Sequence, residues 1–176
     1  MAIKEKIKAM LMENIVITES SSEAKELGTK SGFGKLQKSQ VRLSIVEALY
    51  LVEKEKLEVS TARKIYDFNS LLQKARRLDK NVFLRYAVFK DLREKGYLVK
   101  TALKFGAEYR VYDKGIKVGQ DHSKWVVYPV HENDMNNWHD FSAKNRVAHS
   151  TKKRLMIGIV DDEGDVTYYE VKWIRP

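Results

Sequence analysis

Residues 108 to 130, "EYRVYDKGIKVGQDHSKWVVYPV", bring a tyrosine, a histidine and several cations into one short stretch of a chain without cysteine. A phenol and an imidazole can exchange protons with a reacting group, and an ammonium can hold an anion. On the strand "EYRVYDK", side chains alternate: Glu108, Arg110 and Tyr112 point one way, Tyr109 and Val111 the other. Tyr112 therefore lies on the polar face and Tyr109 in the core. His122 stands just before the apolar strand "WVVYPV", where a histidine projects from a sheet edge. Further along, "RVAHSTKKRLMIGIV" runs a helix carrying Arg146 and His149 into a strand that opens on Lys152, Lys153 and Arg154. At least one of these cations must face the sheet interior or a cleft. Taken singly, each has a plainer reading: a packed strand tyrosine, a surface histidine, and cations complementing a helix C-terminus.

The elements that must position these groups follow from periodicity. After a strand-rich start with "NIVIT", Ser20 and Glu23 suggest a capped helix that stops at Gly28. The basic, glycine-containing "KSGFGKLQKSQVRL" reads as a loop. A capping box at Ser44 and Glu47 opens a helix with Ile45, Leu49 and Val52 at helical spacing, and Ser70 with Gln73 opens another at "SLLQKARRLD". A stronger helix runs from about Asn81 to Gly96. Beyond it the period changes: "YLVKT", "EYRVYDK", "IKV", "WVVYPV", "RLMIGIV" and "VTYYEVKWIR" read as strands, interrupted by one helix at "FSAKNRVAHS". The expected fold is α+β in class: a small mixed N-terminal α/β domain over residues 1–80, then a nuclease-like domain over 81–176 with a central mixed sheet flanked by helices. "VDDEGDVTYY" is a hairpin with Asp162, Glu163 and Gly164 at its tip, an acidic island in a basic chain.

Composition narrows the class of partner. The 176 residues carry 33 Lys and Arg against 24 Asp and Glu, a formal charge of +9. That excess favours a polyanion such as nucleic acid. The lack of cysteine excludes disulfides, thiolate nucleophiles and thiolate zinc sites. No apolar run approaches the ~20 residues of a membrane span, and the charged "MAIKEKIKAMLMEN" breaks any signal core. The expected location is the cytoplasm.

Together, "RVYDKG", "DHSKWVVYPV" and "RVAHSTKKRLMIGIVDDEGDVTYYEVKWIRP" resemble the catalytic domain of the archaeal tRNA-splicing (tRNA-intron) endonucleases. "LSIVEALYL" and "LRYAVFKDLREKGYLVKTALKFGAEYRVY" resemble that family's N-terminal domain and domain junction, so the resemblance runs from about residue 40 onward. It implies cleavage of precursor tRNA at bulge-helix-bulge sites, 2′,3′-cyclic phosphate and 5′-hydroxyl ends, and no metal or other cofactor. The family's catalytic tyrosine, histidine and lysine fall on Tyr112, His122 and Lys153, with Lys152 the alternative lysine. By that likeness His122 is the general acid, Lys153 stabilises transition-state charge, and Tyr112 is the general base or a hydrogen-bonding group. A free phenol titrates near ~10, so a base of this type needs a neighbouring ammonium.

The resemblance also implies a base clamp at Arg146, with Arg175 and Trp173 as its C-terminal candidates. It further implies that Asp161, Asp162, Glu163 and Asp165 dock on another subunit of a tetramer, either a homotetramer or an assembly with a paralogous structural subunit. The strand "YYEVKWI" is a candidate dimer edge.

Two other readings compete. One is a magnesium-dependent nuclease using Asp165, Glu170 and Lys172; the other is a non-catalytic RNA-binding subunit. His131, Asp134, His139 and Asp140 lie close in sequence, but their spacing matches no ligand pattern and reads as a solvated loop.

Overall fold

A computed structural model of the chain describes residues 5–102, 107–119, 122–174 and 176. They separate into two compact units that divide between Tyr86 and Ala87.

The first unit is built on a six-stranded sheet. Its elements are β1 (Ile7–Met12), β2 (Ile15–Thr18), α1 (Ser22–Thr29), β3 (Lys35–Gln37), β4 (Gln40–Ser44), α2 (Ile45–Glu53), β5 (Leu57–Thr61), β6 (Lys64–Tyr66) and α3 (Phe68–Leu78). The strand order is β3-β4-β2-β1-β5-β6. Only the β1–β5 pair is parallel. Along β1 the residues Ile7, Ala9 and Leu11 are buried and Lys8, Met10 and Met12 exposed, the period of a sheet covered on one face.

Three local expectations change here. The stretch read as a loop contains the hairpin β3–β4; on β4 the buried Val41 and Leu43 alternate with exposed Gln40 and Arg42, a short strand signal set in a run of Gly, Lys and Ser. The cap of α1 is Ser21 rather than Ser20, with the Ser21 hydroxyl accepting from Ala24 N at 3.1 Å, and Gly28 lies inside the helix. Helix α3 begins at Phe68, because the Asp67 carboxylate accepts from Ser70 N at 2.7 Å and outcompetes the hydroxyl of Ser70 as cap. The box at Ser44 and Glu47 forms as expected: Ser44 Oγ accepts from Glu47 N and Glu47 Oε2 from Ser44 N. Glu47 is buried, and its other oxygen accepts from Gly34 N at 2.6 Å.

Helix α4 (Val82–Glu94) spans the dividing point. The second unit continues with β7 (Leu98–Thr101), β8 (Tyr109–Tyr112), β9 (Trp125–His131), α5 (Trp138–Ser150), β10 (Arg154–Val160) and β11 (Val166–Val171). Its five strands lie in the order β11-β10-β9-β8-β7. All neighbours are antiparallel except β9 and β10, whose parallel pairing requires the crossover that α5 supplies. The expected strand "IKV", residues 116–118, is irregular, and β11 ends at Val171, before Lys172–Ile174. Helix α5 begins at Trp138, earlier than its apolar pattern suggests, because Asn137 Oδ1 accepts from Asp140 N at 2.8 Å and caps it.

Both faces of this sheet are covered. Tyr109 packs against Phe89 of α4 with ring centres 5.8 Å apart. Gly158, also on the α4 side, sits tight against that helix: an added Cβ would lie 3.1 Å from the Val88 side chain. On the opposite side Val126, Tyr128 and Leu155 bury against Ala148 of α5.

Candidate active site

The strand ladder decides which of the chemistry-bearing residues meet. Val111 pairs with Trp125, and Lys124 N donates to Val111 O at 2.9 Å. Trp125 pairs in turn with Arg154, and Arg154 N donates to Lys124 O at 2.9 Å. Tyr112, Lys124 and Lys153 therefore occupy one row across three neighbouring strand ends. With strands ~4.8 Å apart, the Cα atoms of Tyr112 and Lys153 lie roughly 10 Å from each other. Residues sharing a row share a face, here the face of Arg110, Val126 and Leu155 that α5 covers.

The same register separates the three consecutive cations. Lys153 is half-buried; its N donates to Ala148 O at 2.8 Å and its Nζ to Thr151 O at 3.4 Å. Arg154 turns to the opposite face, where Nη1 donates to Glu170 at 3.1 Å. Lys152 is exposed, with φ of 55° at the turn that follows α5. Tyr112 is half-buried, and Tyr109 and Val111 are in the core, as alternation predicts. His122 is exposed and lies two residues before Lys124, on the approach to β9. Asp113 follows Tyr112, and its carboxylate accepts from Lys124 Nζ at 2.9 Å, joining the end of β8 to the start of β9.

Arg146 and Trp173 line one cavity of about 730 Å³ along α5. Trp173 meets His149 edge to face, ring centres 4.6 Å apart. Arg175 lies outside the described residues. Ser142, Asn145 and His149 complete that wall, and Trp138 and Phe141 form its far end. These had no assigned role in the sequence, although positions 138, 142, 145 and 149 form a helical stripe. Part of that stripe was hidden because "HENDMNNWHD" reads as loop, whereas its last three residues are the first turn of α5.

The acidic hairpin forms as expected. Asp161 Oδ1 accepts from Glu163 N at 3.0 Å and Asp165 N at 2.8 Å, and Gly164 takes φ of 91°. Asp162 meets His131 Nε2 at 3.0 Å. Asp162, Glu163 and Asp165 are exposed. Asp161, Glu163 and Asp165 form the one carboxylate cluster among the described residues that could hold an ion, and it is solvent-facing.

The competing magnesium set does not converge. Asp165 and Glu170 are five positions apart along an extended chain, roughly 17 Å. Glu170 is also occupied: the Trp125 indole donates to it at 2.8 Å, and that bond, with Arg154, holds its carboxyl below the usual range. His131, Asp134 and Asp140 serve turns and a cap: Asp134 accepts from His131 N at 2.8 Å, and Asp140 from Asn137 Nδ2 at 2.7 Å.

Comparison with known proteins shows the family. The sequence model described as "tRNA intron endonuclease, catalytic C-terminal domain" matches residues 82–168, which include the row and all of the cavity wall on α5. That family's N-terminal domain matches residues 7–72, so the likeness reaches well before residue 40. The fold and the two matches thus define a two-domain α+β enzyme that acts on tRNA introns. The chain belongs to the tRNA intron endonuclease family. It is 39% identical over 178 residues to the tRNA-splicing endonuclease of Methanothermobacter thermautotrophicus, covering 97% of this chain and 99% of the relative. Identity to the tRNA-splicing endonuclease of Pyrococcus horikoshii is 37% over 173 residues, covering 98% and 99%. For that of Nanoarchaeum equitans it is 44% over 140 residues, covering 76% and 90%. Among the described residues no helix is long and apolar enough to cross a membrane.

Proposed function

We propose that this endonuclease excises introns from precursor tRNA at bulge-helix-bulge sites by metal-independent transesterification. The observation that carries the reading is the row at the ends of β8, β9 and β10, with Tyr112 and Lys153 on one face and His122 on the adjoining approach. The nucleophile is the RNA 2′-hydroxyl, so no external water is activated. Tyr112 takes the 2′-hydroxyl proton as the oxygen attacks the adjacent phosphorus. Lys153 stabilises the added negative charge of the phosphorane-like transition state. The bond from phosphorus to the 5′-oxygen then breaks, and His122 protonates the leaving oxygen. The products are a 2′,3′-cyclic phosphate and a 5′-hydroxyl.

The N-terminal domain is assigned to residues 1–80 and the catalytic domain to 81–176. Arg146, with Trp173 and Arg175, clamps an unpaired base of the bulge. The shared cavity of Arg146 and Trp173 supports this, since stacking on planar groups contributes ~1–3 kcal/mol per base. Asp161, Asp162, Glu163 and Asp165 dock on a neighbouring subunit, and the chain works as a tetramer because one active site per chain must serve two cuts. Support comes from the exposed acidic tip and from β11, an edge strand with an exposed Tyr169.

The test is incubation of the purified chain with an intron-containing precursor tRNA in EDTA. Two cuts with cyclic-phosphate ends are expected. Activity lost in EDTA and restored by magnesium would overturn metal independence, and binding without cleavage in any buffer would mark a non-catalytic subunit.

A further inference from the structure

The cavity along α5 is larger and longer than one base clamp requires. A nucleobase has roughly ten heavy atoms, far fewer than the drug-sized ligands that fill clefts of ~300–1,000 Å³, and this cavity holds about 730 Å³. Arg146, His149 and Trp173 mark one end. Trp138 marks the other, eleven residues up the helix from His149 and therefore ~16 Å away along its axis. One flat base cannot touch both ends.

The far end has the build of a stacking platform. Trp138 is 82% exposed, an unusual position for the largest apolar side chain. It is not loose: Phe141, one turn along, meets it with the two rings perpendicular and their centres 5.8 Å apart, which orients an indole that stays open to solvent. Ser142 and Asn145, between the two ends, offer donors and acceptors to base edges. No acidic side chain is among the residues lining the cavity, in a chain of net charge +9. An aromatic wall, polar edges and a cation in one groove are what unpaired RNA requires.

We propose that the Trp138–Phe141 end is a second base-stacking site, taking a further unpaired nucleotide of the precursor RNA beyond the one held at Arg146 and Trp173. The proposal rests on the reading of that pair as a base clamp. The two sites together measure the separation of two unstacked bases, which a continuous duplex cannot supply.

The test uses the full chain and two RNAs of equal length, a bulge-helix-bulge RNA with 2′-deoxy nucleotides at both cut sites and its fully paired counterpart. Trp138→Ala should weaken binding of the bulged RNA by about 5- to 100-fold and that of the paired RNA by less than about 2-fold. Trp138→Phe should restore most of the loss, and at this exposure neither variant should change the thermal midpoint. Equal loss on both RNAs, or no loss on either, overturns the second site. A shifted oligomeric state with unchanged RNA affinity overturns it in favour of a protein contact. Arg146→Ala separates the two readings: if it removes the preference for bulged RNA and Trp138→Ala does not, only the second site fails. If Trp138→Ala removes that preference and Arg146→Ala does not, the clamp at Arg146 fails, and with it the pairing of two sites, leaving Trp138 as the single stacking contact.

Discussion

The parallel strands β9 and β10 carry opposite chemistry at their two ends, roughly 20 Å apart. At the end where Trp125 pairs with Arg154, the row of Tyr112, Lys124 and Lys153 gathers cations, with His122 beside it. At the end where His131 pairs with Val160, the chain turns through Asp161–Asp165. The difference lies in what holds the backbone. Around Lys124 the main chain is fixed by ladder hydrogen bonds on both sides. In the acidic turn a side chain joins the backbone in the fixing: Asp161 Oδ1 accepts from two backbone N–H groups, beside the bonds from Asp161 N to Asp165 O and from Gly164 N to Asp161 O. A ladder frees side chains for chemistry, whereas a turn built on its own carboxylate uses that side chain for structure.

Substitutions at the two ends should therefore fail differently. The largest effect is expected at His122: replacement by Ala should lower single-turnover cleavage by about 10²- to 10⁴-fold with an unchanged thermal midpoint. A comparable fall in stability would break the contrast. At the other end Asp161→Ala removes the acceptor of two backbone N–H groups and should destabilise by about 1–3 kcal/mol, measured by denaturant unfolding. A fully stable variant would show that the turn does not depend on its carboxylate.

Between the two ends, Tyr168 of β11 donates from its hydroxyl to Asp91 at 2.8 Å. Burial, then that bond, push its pKa far above the usual phenol value. Because the folded value is raised, the stabilisation is present below ~10, the unfolded value, and is lost as pH rises through the folded one. Tyr168→Phe should cost about 1 kcal/mol at neutral pH, with the gap to wild type narrowing in strong alkali. The smallest effect is expected at Glu170, which the Trp125 indole and Arg154 hold low. A depressed folded value gives stability present above ~4.3 and lost as pH falls through the folded value. The thermal midpoint of wild type should exceed that of Glu170→Gln at pH 7, and the two should converge in acid. A gap that persists there would place the effect in packing instead.

Much of this contrast was legible in the chain. Alternation on β8 separates Tyr112 from Tyr109 in the sequence itself, and the hairpin of Asp161–Asp165 follows from its acidic, glycine-containing tip. The row itself was not legible. It depends on the register of three strands, two of them joined by a 13-residue helix, and sequence spacing carries no register. Nor could spacing choose among Lys152, Lys153 and Arg154, since the choice of face follows from the pairing of Arg154 with Trp125. The cavity wall was missed for a different reason. Its stripe on α5 mixes Trp, Ser, Asn and His, which do not stand out as one face of an apolar helix. Caps shift where two candidates stand within a turn of each other: the Asp67 carboxylate accepts from Ser70 N, while the Ser70 hydroxyl donates to Asp67 O and so caps nothing.

On the proposed mechanism, the cationic strand end performs chemistry rather than simply gripping RNA. The most direct measurement is the single-turnover cleavage rate of Lys153→Ala at saturating enzyme, with affinity for the same precursor tRNA measured in parallel. A rate at least ~100-fold below wild type with affinity within a few-fold is the predicted result. Rate and affinity falling together, or a rate close to wild type, would contradict it.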